Sequence, residues 1–153
     1  MKKLVLFVAI SCLILLGAAA AEALDIFQDY DKVIFVNQPR QTGTAYEHGK
    51  KVREFPVLTG DDESTTDPGI YVIRVKVADY YSRTYDTPMP YSLFFDWRRR
   101  KAIHEGGVPV GAEKGEVATH GCIHVESPHI EWLYEWAEEG ATALVVAGER
   151  SGD

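Results

Sequence analysis

Residues 118–125, Ala-Thr-His-Gly-Cys-Ile-His-Val, place a cysteine between two histidines, each two positions away. A thiol is a weak nucleophile at its free pKa of about 8.5 and is activated by a nearby imidazole or another positive environment. A third histidine, His104, stands 16 residues before His120, across a glycine-rich stretch. Gly121 lacks a Cβ and lets the backbone approach a substrate closely. Backbone N–H groups of Gly121 and Cys122 could face a developing oxyanion there. The same residues admit two other readings. If 120–124 is extended, His120, Cys122 and His124 share one face, and His104 would complete a set suited to zinc or copper. A free cysteine is also often a small buried hydrophobe, although three nearby histidines would each then need polar partners. On the residues alone, nucleophile, metal ligand and buried filler all stay open.

A disulfide is the remaining fate of a cysteine, and the N-terminus bears on it. Lys2 and Lys3 precede an apolar or small-residue run of 17, Leu4 to Ala20, and then Ala21-Glu22-Ala23. This is the pattern of a secretory signal peptide, residues 1–23, cut after Ala23. Retention as a membrane anchor is the rival, since a spanning helix needs about 20 apolar residues. Cleavage would remove Cys12 and leave 130 residues with one cysteine, which has no internal partner in an oxidising compartment. The expected destination is the periplasm or cell envelope. Formal charge moves from −7 to −8 when two lysines and one glutamate leave. That balance argues against nucleic-acid binding, which relies on neutralising phosphates; the basic run Arg98-Arg99-Arg100-Lys101 reads as a solvated loop or strand edge.

The elements that must position these residues are mostly strands. After a lead-in at 24–31, residues 32–37, 50–58, 70–80, 91–97, 101–105 and 141–148 show β-type alternation or β-branched and aromatic runs. Residues 38–49 read as two turns, 59–69 as a breaker-rich loop, and Ser82–Pro90 as loop because of Pro88 and Pro90. One helix is expected after the cysteine, with Ser127 as N-cap, Pro128 at its first position, Ile130, Leu133, Tyr134 and Ala137 on one apolar face, and Gly140 as stop. Trp132 and Trp136 flank that face and are expected to pack on the sheet. Many short strands with one late helix predict a mostly-β sandwich or barrel in a single domain, residues 32–148, with a tail at 149–153. His48, at a turn, His129, early in the helix, and the acidic run Asp61-Asp62-Glu63 suggest no chemistry.

Ala-Ile-His-Glu-Gly-Gly at 102–107, a 16-residue step, and Thr-His-Gly-Cys-Ile-His-Val at 119–125 resemble the signature of the L,D-transpeptidase catalytic domain, the YkuD family. Residues 64–73, 87–96 and 127–146 resemble that family's strand entry, its stretch before the first histidine, and its Trp-containing helix with the final strand. The resemblance implies a β-sandwich with the cysteine in a cleft and no metal or organic cofactor. It implies that Cys122 attacks a peptidoglycan stem peptide, releases D-alanine and passes the acyl group to an amine, with sensitivity to carbapenems. The acceptor would be a second stem or a protein such as a lipoprotein; water would give a carboxypeptidase, and loss of the chemistry a wall-binding domain. His104 would be the base, His120 would line the site, Gly121 and Cys122 would hold the oxyanion, and Tyr91, Thr119 and His124 would meet substrate. Two positions depart from the pattern. Glu105 follows His104 where a small residue is usual, though its carbonyl can still orient the ring. His124 stands where relatives commonly carry Arg or Asn, which predicts altered carboxylate recognition and a more pH-sensitive activity.

Overall fold

A computed structural model describes residues 26–61, 63–110 and 118–148. The expected signal segment with Cys12, residues 111–117 of the glycine-rich loop, and the tail at 149–153 lie outside the described residues. The described chain forms strands β1 (Lys32–Asn37), β2 (Thr42–Glu47), β3 (Lys50–Pro56), β4 (Gly69–Val72), β5 (Val75–Ser82), β6 (Thr87–Asp96), β7 (Lys101–Glu105), β8 (Ile123–Val125) and β9 (Thr142–Ala147). Helix α1 (His129–Trp136) lies between β8 and β9.

Two sheets result. One runs β3-β2-β1-β9-β4 and the other β5-β6-β7-β8. The fold is therefore mostly β in two sheets with a short late helix, as expected. The core packs Ile34, Val36, Phe55, Ile73, Leu93, Ile103, Ile123 and Leu144, all essentially fully buried. Helix α1 sets Ile130 and Leu133 into the same core. Trp132 and Trp136 are half-buried against it and stack on each other at 5.3 Å.

Four elements depart from the sequence reading. The stretch 70–80 is two strands, because the chain crosses from one sheet to the other at Ile73–Arg74. Residues 42–47, read as a turn-to-turn segment, form β2, held from both sides by β1 and β3. Strand β6 begins at Thr87 and contains both prolines, which face Tyr81 and Asp79 of β5. A proline offers no N–H, so it is tolerated where one side of a strand is unpaired; β7 pairs with β6 only from Leu93 onward. Helix α1 is capped by Pro128 without a side-chain bond and ends at Trp136, before Gly140. Ser127 is not its cap, because its hydroxyl donates to Glu105 Oε1 at 2.8 Å.

Candidate active site

The partial pairing of β6 and β7 makes the site. Strand β7 pairs with β6 no further than Leu93–Ile103 and with β8 along its other edge, and among the described residues the first half of β6 has no partner on the side away from β5. A cleft of about 400 Å³ opens there, with Pro88 and Met89 on one wall and His104, Cys122 and His124 on the other. Tyr91 sits at the parting point with a positive φ of 55°. That kink carries its ring to Tyr134 of α1, 5.7 Å away, and into the main core cluster. Tyr91 is thus absent from the cleft lining, contrary to the expectation for it, and Met89 and Tyr85 line the cleft instead.

Cys122 lies on a turn that buried hydroxyls brace. Thr119 Oγ1 donates to the Cys122 carbonyl at 2.5 Å and accepts from the Gly121 N–H at 3.1 Å. Thr66 Oγ1 donates to the Gly121 carbonyl at 3.1 Å and accepts from the Gly60 N–H at 2.9 Å. Two expectations change as a result. Thr119 is buried and holds the turn rather than facing a substrate. The Gly121 N–H is spent on Thr119, so it is not free to hold an oxyanion. Among the described residues the Cys122 N–H has no acceptor, and it remains the available donor at this turn. Gly121 has φ of 98°, a conformation that strains any residue with a Cβ.

The parallel register of β7 and β8 sets His104 opposite His124 and, one pair on, Ile103 opposite Ile123. His104 and the start of β7 thereby face the residues around Cys122. His104 Nδ1 lies 2.7 Å from the Glu105 carbonyl. A carbonyl only accepts, so Nδ1 carries the proton and Nε2 is left with its lone pair. His104 is 6% exposed, and burial pushes its pKa down to about 4, helped by the charge of His124 and opposed by the Glu105 carbonyl. Burial also pushes the Cys122 thiol up, against the pull of the Ala102 backbone and the Lys101 charge. At neutral pH the pair is an imidazole and a thiol, with the S–H set toward the Arg100 carbonyl at 3.8 Å. Such a pair can move a proton from sulfur to Nε2 as the sulfur attacks an electrophile.

The other two histidines differ. His124 packs its ring edge-on against His104 at 4.7 Å and lies flat over Gly106, where a Cβ would meet it at 2.5 Å. Burial lowers its pKa, with the bond to the Gly107 backbone opposing and the charge of His120 adding. His120 is exposed and stacks on Tyr85 at 4.5 Å, on the tip of the β5–β6 hairpin. Among the described residues no three His, Cys, Asp or Glu side chains are grouped to hold a metal ion. Depressions of about 500 Å³ beside Lys32 and Glu138 and about 410 Å³ beside Phe55 and Val108 match the cleft in size but contain no thiol. Chemistry, not volume, singles out the cleft. Sequence reasoning missed Tyr85, Met89, Thr66 and Lys101. Thr66 and Met89 lay within stretches that carry the family resemblance, and Tyr85 and Lys101 within segments read as loop or solvated edge.

Comparison with known proteins agrees with this geometry. The L,D-transpeptidase catalytic domain family, YkuD, matches residues 31–146. L,D-transpeptidase 2 of Mycobacterium tuberculosis (strain CDC 1551 / Oshkosh) is 28% identical over 110 residues, 65% of this chain and 27% of that protein. The crystal structure of an L,D-transpeptidase from Stackebrandtia nassauensis superposes with a TM-score of 0.67 at 26% identity, over 80% of this chain and 58% of that one. The L,D-transpeptidase LdtMt1 in complex with imipenem superposes at 0.67 and 18% identity, over 76% and 59%; at that identity the likeness is one of fold. The chain spans about a quarter of the length of the curated relative and under two thirds of these solved chains. With well over half of its residues matched and the matching histidine and cysteine brought to one cleft, the chain belongs to the YkuD family of L,D-transpeptidase catalytic domains.

Proposed function

We propose that this protein is a cysteine transpeptidase acting on peptidoglycan stem peptides. The observation that carries this is the cleft that holds both Cys122 and an imidazole whose Nδ1 is tied to the Glu105 carbonyl. In the first half-reaction the Cys122 thiol turns from the Arg100 carbonyl and gives its proton to His104 Nε2. Sγ bonds to the carbonyl carbon at the L-centre of the stem's diamino acid. The Cys122 N–H supports the oxyanion. The bond to D-alanine breaks, and the departing amine takes the proton from His104. A thioester remains on Cys122. An amine acceptor then attacks it, gives a proton back through His104 to the thiol, and leaves with the acyl group. His120 and Tyr85 form the rim that a stem peptide would cross, and His124 lines the same cleft and packs against the base. The N-terminal segment supports export to the periplasm or envelope, where peptidoglycan lies. The imipenem complex of the related fold supports sensitivity to carbapenems, which would acylate Cys122.

Mass spectrometry of the mature protein with a tetrapeptide-stem muropeptide tests the proposal, wild type beside Cys122→Ala. The expected result is loss of D-alanine and a cross-linked dimer with wild type only. Loss without a dimer would make the enzyme a carboxypeptidase or one that requires a protein acceptor. No D-alanine release and no carbapenem adduct on Cys122 would overturn the proposal.

A further inference from the structure

Lys101 begins β7, one residue before Ala102, whose backbone faces the Cys122 sulfur. Its side chain is only 14% exposed. Nζ donates to the Thr65 carbonyl at 2.5 Å and to Asp67 Oδ2 at 3.2 Å. A Cβ on Gly121 would stand 2.8 Å from the Thr65 carbonyl, 3.0 Å from Lys101 Cε and 3.3 Å from Nζ. The glycine before the cysteine therefore leaves room for a lysine and its acceptor, not only for a substrate. Burying an ammonium is costly unless it is paired. Its carboxylate partner is shared, because Asp67 also accepts from Arg99 Nη1 at 2.6 Å and from Thr65 Oγ1 at 2.5 Å. Arg99 Nε also lies 3.9 Å from Asp96 Oδ2, so the exposed guanidinium has a second carboxylate, and the ammonium of Lys101 is the cation enclosed beneath the turn. Bracing alone does not need that charge, since the neutral hydroxyls of Thr66 and Thr119 already tie the Gly121 carbonyl and N–H.

We propose that Lys101 is a positioning residue for the nucleophile: clamped by Thr65 and Asp67 against the Gly121–Cys122 turn, it fixes the turn and supplies the fixed positive charge toward which the thiolate develops. Other groups facing Cys122 are His104 and Glu105 on β7, His120 and His124 around its own strand, Tyr85 on the β5–β6 hairpin, and the uncharged Met89 on β6. None of these is a permanent cation. Arg100 offers its carbonyl, while its guanidinium lies over Trp97 at 4.1 Å. The inference rests on Cys122 being the nucleophile.

The test is the pH dependence of Cys122 alkylation by iodoacetamide, read at that residue by peptide mass spectrometry, with a thermal melt of each variant. Lys101→Met should raise the midpoint by roughly half to one pH unit and slow alkylation about 3- to 10-fold at pH 7.5. Lys101→Arg should restore most of it. Asp67→Asn leaves the ammonium less neutralised and should lower the midpoint, the opposite sign from a loosened turn. A folded Lys101→Met with the wild-type midpoint, or an Asp67→Asn midpoint that stays or rises, overturns the proposal. If Lys101→Met does not fold, Lys101→Arg and Asp67→Asn decide it. A Cys122 whose alkylation responds as expected but that never releases D-alanine would sink the transpeptidase reading and leave the role of Lys101 standing.

Discussion

Burial acts on His104 and Cys122 in opposite directions from what a resting thiolate–imidazolium pair would require. It lowers the imidazole to about 4 and raises the thiol. Under the proposed mechanism the base is lost only when His104 is protonated, so the acid limb of the pH–rate profile for acylation should lie near 4, well below the 6.5 of a free imidazole. Carbapenem acylation rates from pH 3.5 to 8 check this, and a limb at 6.5 would mean His104 is not the base. His104→Gln should slow acylation by about 10²–10⁴. His124 touches His104 directly. His124→Arg places a permanent charge there, which disfavours the imidazolium, so the acid limb should move to lower pH. An unchanged profile would deny His124 any electrostatic part in the reaction.

At the scale of elements, the Thr119–Cys122 turn is rigid because one hydroxyl serves both of its ends. Thr119→Val keeps the shape and removes that hydroxyl, leaving the Gly121 N–H and the Cys122 carbonyl without it. The expected cost is about 1–3 kcal/mol in urea unfolding, with a fall in acylation rate, and Thr119→Ser should recover both. Gly121→Ala meets a φ of 98°, the Thr65 carbonyl and Lys101 together. It should cost about 2 kcal/mol or more, beyond what the loss of backbone freedom could return. The turn could not be read from residues 119–122 alone, because its second brace, Thr66, comes from a loop 55 residues earlier in the chain.

At the scale of the whole molecule, stability should respond to the same buried histidine. His104 titrates at about 4 when folded and near 6.5 when unfolded. Between those values the unfolded chain binds a proton that the folded chain does not, so stability falls as pH drops through this window and is level above it. The loss by pH 4 is about 3 kcal/mol for this group. His124 adds in the same direction, and Asp67, held below 3.8 by Thr65 first and then by Lys101 and Arg99, adds below that. Urea midpoints at pH 7 and pH 4 measure the effect, and His104→Gln should flatten it. An equally steep loss in that variant would place the acid sensitivity elsewhere. The core between the sheets supplies the stability being drawn on. Leu144→Ala, at a fully buried position of β9, should cost about 2–5 kcal/mol.

The sequence by itself determined the class of fold and, through its family resemblance, the candidates for the chemistry. Cysteine, glycine and histidine at fixed spacing are local facts, and alternating apolar residues give strands wherever they fold. Those signals named Cys122 and His104 and the mostly-β architecture. Tertiary structure decided what depended on residues far apart in the chain. Pro88 and Pro90 argued for a loop, but β7 pairs only the second half of β6, and the cleft opens beside the first half. Tyr91, which the resemblance set against the substrate, has a positive φ and packs its ring on Tyr134 of α1. Thr119 and the Gly121 N–H looked outward until they were found bonded to one another. Lys101, read as part of a solvated basic run, became a buried cation because Thr65 and Asp67 arrived from another strand's approach. Local periodicity tells a residue which face it takes; only the packing of distant segments tells it what stands opposite.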